Sequence, residues 1–186
     1  MKKIYFLLLA VVFVFSGCEK DDICDGSTPT TPRIIIEFYD ISNPAVLKNV
    51  RNLKVIATGM EEGVVLDETA NSLTPYLSNA SKIALPLKTS EDNTQYQFIL
   101  NFGNTNEALI FTDVIDFNYQ RTQEYVSRAC GFKTMFKLNL PSDPLAPIAL
   151  NNNNSGQFIP GNWIKGIEIN ESTIESENEV HVKILF

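Results

Sequence analysis

The sequence has a single histidine, His181, a single tryptophan, Trp163, and three cysteines, Cys18, Cys24 and Cys130. With one imidazole, a Ser-His-Asp or Cys-His nucleophilic site would have to use His181, and no Gly-x-Ser-x-Gly turn is present to hold a serine. Two cysteines and one distant histidine make a poor metal site, there is no Asp-x-Asp-x-Asp-Gly calcium loop, and no glycine-rich loop would cradle a phosphate. The sequence therefore implies no metal and no cofactor. Positive charge is also scarce: 15 basic against 22 acidic residues leave a net charge of −7, which repels nucleic acid and anionic membrane surfaces. Internal repeats and long helical periods are missing, which disfavours a parallel α/β fold for want of crossover helices. What remains is a globular composition, 44% hydrophobic and 10% aromatic over 186 residues, enough for about one domain.

The longest apolar run stands at the start. Met1, Lys2 and Lys3 precede an unbroken apolar stretch from Ile4 to Phe15, and the small residues Ser16 and Gly17 follow. Twelve residues at 1.5 Å each cover about 18 Å, short of the roughly 30 Å of a bilayer core, so residues 1–17 read as a signal peptide. Val14-Phe15-Ser16-Gly17-Cys18 resembles the bacterial lipobox, with Phe15 where that pattern prefers leucine. The resemblance implies that Cys18 is acylated, becomes the new N-terminus and anchors the chain through several acyl chains. The next residues, Glu19-Lys20-Asp21-Asp22, resemble the acidic lipoprotein export signal of Bacteroidota, a lysine with two acids beside the lipidated cysteine. That resemblance implies an outer-membrane location on the extracellular face, the periplasmic face being the alternative, with Lys20, Asp21 and Asp22 as the address. Residues 18–32 then form a tether, stiffened by proline from Ser27 to Pro32.

Setting Cys18 aside leaves Cys24 and Cys130, an even number in an oxidising compartment. A disulfide between them closes a loop of about 107 residues, for which the chain-entropy model gives roughly 4 to 5 kcal/mol as an upper figure. It would pin the tether against the strand beginning at Cys130. Free thiols and metal ligation are the competing readings.

Residues 33–186 read as one domain of strands. Phe132, Thr134, Phe136, Leu138 and Leu140 alternate with Lys133, Met135, Lys137 and Asn139, as a half-buried strand requires. The same period marks Tyr96 to Phe102, Ile83 to Leu87 and Val180 to Phe186, the last placing His181 on the outward face. Further strands are expected at Arg33 to Asp40, Leu53 to Thr58, Leu109 to Tyr119, Gln123 to Arg128 and Ile164 to Asn170, about nine in all. Turn-forming residues at Thr58 to Gly63, Ser90 to Asn93, Gly103 to Asn106 and Glu175 to Asn178 imply hairpins between sequence neighbours. Pro141 to Pro147 and Asn151 to Gly156 read as loops, and Ala45 to Asn52 as a helical turn. The fold class is thus all-β: an antiparallel β-sandwich, immunoglobulin-like in style, with a small β-barrel as the alternative.

Candidate chemistry is thin. Asp113 and Asp116 have opposite strand parity and point to opposite faces, while Glu171, Glu175, Glu177 and Glu179 crowd a hairpin tip. Paired carboxylates would support a glycan hydrolase. Contact with a protein or glycan ligand needs exposed aromatics, and Trp163, Tyr119 and Tyr125 are the candidates. Cys-Glu-Lys-Asp-Asp-Ile-Cys at Cys18, the strand Arg33 to Asp40 after its proline-rich lead, and Arg128-Ala129-Cys130-Gly131-Phe132 resemble a family of small uncharacterised Bacteroidota lipoproteins classed as a domain of unknown function. The likeness implies location and topology without an activity. The function expected is that of a lipid-anchored, non-enzymatic binding or envelope-accessory protein, with a surface glycan hydrolase as the alternative.

Overall fold

The computed structural model describes residues 23–26, 28, 30–67, 69, 74–151 and 160–186. The signal segment, Cys18, Lys20, Asp21, Asp22 and most of the 151–156 loop lie outside the described residues. Two units make up the chain, one of residues 31–122 and 134–186, the other of residues 1–30 and 123–133.

Twelve strands are present among the described residues: β1 (Ile34–Asp40), β2 (Asn43–Leu47), β3 (Leu53–Ala57), β4 (Leu77–Ser78), β5 (Lys82–Leu85), β6 (Asn93–Leu100), β7 (Phe111–Ser127), β8 (Gly131–Leu138), β9 (Ile148–Leu150), β10 (Gly166–Ile169), β11 (Thr173–Ile174) and β12 (Val182–Leu185). One turn of 3₁₀ helix, Glu107–Leu109, precedes β7. Period-two alternation marks β5, β6, β8 and β12 in the sequence, because a half-buried strand of a sandwich shows one face to the core. The two expected strands from Leu109 to Arg128 are one continuous strand, β7. The helical turn expected at Ala45 to Asn52 is absent; β2, every residue exposed, occupies its first part as an edge strand. Pro44 is tolerated there because an edge strand need not donate every amide.

The larger unit holds two sheets. In the five-stranded sheet the order is β10-β12-β1-β2, with β5 also paired to β1. β1 and β12 run parallel, Ile36 opposite Val182 and Phe38 opposite Ile184, so the sheet is mixed. In the seven-stranded sheet the order is β11-β8-β7-β6-β3-β4, with β9 also paired to β7. Neither sheet closes on itself, and side chains from both share one core: Ile34, Ile36, Phe38, Ile83, Leu85, Val182 and Ile184 from the first meet Val55, Tyr96, Phe98, Ile115, Phe117, Tyr119, Phe136 and Leu138 from the second. This is a β-sandwich, and the barrel alternative does not hold.

Two of the four expected turns lie between sequence neighbours that pair: Thr58 to Gly63 follows β3, whose antiparallel partner β4 comes next in the chain, and residues 101–110 link β6 to β7, which pair in register from Asn93 opposite Asn118 to Leu100 opposite Phe111. Ser90 to Asn93 instead carries the chain from β5 in one sheet to β6 in the other, and Glu175 to Asn178 carries it from β11 back to β12. At Thr58 to Gly63 the chain folds back on β3, with Val64 N donating to Val55 O at 2.8 Å. Gly63 is required there, since its φ is +111° and a Cβ would lie 2.8 Å from the Val55 carbonyl. Asn101, at φ +59°, ends β6 and turns Phe102 away from the core; its ring lies under the Lys54 ammonium instead.

In the smaller unit Cys24 and Cys130 are joined by a disulfide, Cα to Cα 4.9 Å. Ser127 Oγ accepts from Cys130 N at 3.0 Å, and Lys133 pairs with Glu124 at 2.9 Å.

Candidate functional site

Asp113 is fully buried on β7, on the face of Ile115, Phe117 and Tyr119, with Asp116 on the opposite face as parity requires. Its carboxylate accepts from the backbone N–H groups of Asn162 (2.7 Å), Trp163 (2.8 Å) and Ile164 (2.9 Å) and from Asn151 Nδ2 (2.8 Å). Burial alone would raise its pKa; the four donors outweigh burial and hold it below the ordinary carboxylate range. Gly161 completes the clamp, because a Cβ there would sit 2.4 Å from Asp113 Oδ1. An ionised carboxylate saturated with donors ties the Gly161–Ile164 segment to β7 and is no general acid. Asp116 accepts from Gln95 Nε2 at 2.9 Å on the neighbouring strand.

The clamp places Trp163 in the core. Its ring lies against Phe38 and Phe186, and its Nε1–H donates to Phe98 O at 3.1 Å. Tyr119 is buried as well, packed edge-to-face on Phe136, with its hydroxyl sharing a hydrogen bond with Thr94 Oγ1 and donating to Lys88 O. Neither can meet a ligand, which corrects that expectation: both rings fill the space between sheets, and each polar tip finds an internal partner there. Tyr125, in the smaller unit, is 56% exposed.

His181 is also not outward in the sense of solvent; it is 1% exposed. It precedes β12 on the side of β1, and the rung at Ile35 closes through it twice: His181 N donates to Ile35 O (3.0 Å), and Ile35 N donates to His181 Nδ1 (2.9 Å). The Val180 carbonyl, which a longer β12 would offer, is taken by Asn170 Nδ2. The imidazole thus substitutes for a missing strand carbonyl, and burial lowers its pKa so that it stays neutral. A lone histidine among alternating apolar residues carries no sign of this use.

On the β1–β5 face opposite the core lies a concavity of about 390 Å³. The antiparallel register sets Ile35 beside Ala84 and Glu37 beside Lys82, giving an apolar floor with a cation at its side. Lys82 Nζ is 3.8 Å from Glu37. Arg33 and Glu177, from the segments before β1 and β12, also line it. Glu177 accepts from Arg33 N (3.1 Å), Nε (2.8 Å) and Nη2 (2.8 Å), and these bonds hold its pKa low. Asp67 in the same lining accepts from Thr69 N and Oγ1. Sequence reasoning missed this site, because Arg33, Asp67, Lys82 and Glu177 are far apart in the chain and each reads as a surface charge. Glu171 caps its own turn through Thr173 N, which lowers its pKa. Among the described residues no three of His, Cys, Asp and Glu gather as a metal site would need, and no helix is long and apolar enough to cross a membrane.

These features define a β-sandwich protein whose buried polar groups hold loops and strand ends, with a fixed ion pair at the rim of one concave face. The model of a Family of unknown function (DUF6452) matches residues 52–186, and the chain belongs to that family. No curated protein and no solved structure matches it. The matched span runs from β3 to β12 and includes Cys130, while Cys24, β1 and β2 precede it.

Proposed function

We propose that this is a lipid-anchored outer-membrane protein, held by Cys18 and facing the cell exterior, whose sandwich binds a glycan or peptide without turning it over. The observation that carries the binding reading is the β1–β5 concavity, where an apolar floor of Ile35 and Ala84 is flanked by Lys82 and the locked Arg33–Glu177 pair. Sugars and peptides both present apolar faces edged by hydrogen-bonding groups, and a pre-formed rim holds such groups with little ordering cost. The hydrolase reading draws on Asp67 and Glu177 sharing that lining. It requires one carboxyl with a raised pKa, whereas Arg33 holds Glu177 low.

The test is to probe oligosaccharide and peptide arrays with the detergent-solubilised chain and with Lys82→Ala. Retention of a ligand set by the native chain that weakens about tenfold or more in the variant supports the reading. Equal retention by both, or none, overturns it, and cleaved glycan in the eluate would establish the hydrolase.

A further inference from the structure

Three large apolar side chains of the smaller unit stand in solvent: Ile23 at 82% exposure, Tyr125 at 56% and Phe132 at 64%. They are not scattered. Tyr125 on β7 and Phe132 on β8 meet edge-to-face with ring centroids 5.4 Å apart, two residues from the Cys130 end of the disulfide, and Ile23 adjoins its Cys24 end. Lys133 and Glu124, one rung away and therefore on the other face of the β7–β8 pair, bond to each other, so the ring face itself carries neither of these charges. An exposed aromatic pair near an exposed aliphatic side chain is the chemistry of a membrane-interface contact, where tyrosine keeps its hydroxyl wet and its ring among headgroups.

The covalent path says which surface this patch meets. Cys18, the residue read as lipidated, is six residues before Cys24. Six residues span at most about 22 Å when fully extended, and the disulfide adds only 4.9 Å between Cα atoms. The bond therefore keeps the β7–β8 tip within reach of the bilayer that holds the acyl chains. A net charge of −7 gives no attraction to anionic lipid, so such a contact depends on apolar side chains and on the anchor's effective concentration.

We propose that Ile23, Tyr125 and Phe132 form a foot that rests in the headgroup region of the bilayer carrying this chain's own lipid. The proposal rests on the Cys18 anchor reading. In the test, the lipidated chain with Phe132→Trp is reconstituted into phosphatidylcholine–phosphatidylethanolamine vesicles, some containing lipids brominated near the glycerol end. The parent chain, with only the buried Trp163, supplies the background. The indole introduced at position 132 should shift to shorter wavelength on reconstitution and be quenched to roughly half by the brominated lipid. A Tyr125→Trp chain should behave alike, and joint Cys24→Ser and Cys130→Ser replacement should weaken quenching in both. A chain that floats with the vesicles while both indoles remain unquenched overturns the foot alone. A chain that does not float overturns the anchor reading and the foot with it. Self-association in detergent that shields both indoles, with no quenching in vesicles, overturns the foot in favour of a second copy.

Discussion

Asp113 and His181 are the residues that a search for acid–base chemistry reaches first, and both are fastened to backbone. Asp113→Ala would leave three backbone N–H groups and the Asn151 amide without their acceptor, a loss on the order of 3 kcal/mol or more. A urea melt should show a lowered midpoint with the slope retained; an unchanged midpoint would mean that the clamp contributes nothing. Because the folded pKa of Asp113 is lowered, its contribution is present above the ordinary value of 3.8 and is lost as pH falls through the folded value. His181 works in another window. Its folded pKa lies below 6.5, so the unfolded chain takes up the proton first, and stability falls as pH drops from about 6.5 toward the folded value. Urea midpoints measured between about pH 7.5 and pH 5.5 should decline in the native chain and flatten in His181→Asn, whose amide oxygen can accept from Ile35 N. An undiminished slope in the variant would assign that dependence to other groups. Strand parity alone separated Asp113 from Asp116 and set His181 opposite Val182. It could not show that the donors of a distant loop converge on one carboxylate, or that an imidazole completes a ladder.

At the scale of elements, β1, β3, β5, β6, β8, β10 and β12 were legible wherever alternation survived for four or more residues. Within β8 the alternation fails as a burial guide at Phe132, which is exposed although it shares the parity of Thr134, Phe136 and Leu138, while Leu140, of the same parity, lies past the end of the strand and is exposed too. Short strands escaped notice: β4, β9 and β11 have two or three residues, too few to establish a period. Which strands pair was harder still, because a turn sequence reports that the chain bends and not which sheet it enters next. Cysteine parity, by contrast, identified the Cys24–Cys130 bond across a separation of 106 residues. Reducing it should cost up to about 4 to 5 kcal/mol. Thermal unfolding with and without reductant measures this, and coincident transitions would show that the bond does not constrain the unfolded chain.

For the whole molecule, the anchor reading makes a direct claim about partition. Cys18→Ala should move the protein from the membrane fraction to the soluble one and abolish labelling by a fatty-acid analogue; a variant that stays membrane-bound without label defeats the claim. Protease shaving of intact cells, with a periplasmic marker to confirm integrity, should digest the native chain and spare one with Lys20, Asp21 and Asp22 changed to alanine. Digestion of neither, with loss of both after detergent, would place the protein on the periplasmic face. The parallel rung between β1 and β12 has its own consequence for biogenesis. β1 waits for β12, so a chain emerging vectorially from a ribosome cannot complete the five-stranded sheet until residue 185 has emerged. Nascent chains arrested before residue 182 should remain open to protease, and resistance in such chains would show that the sandwich closes without β12.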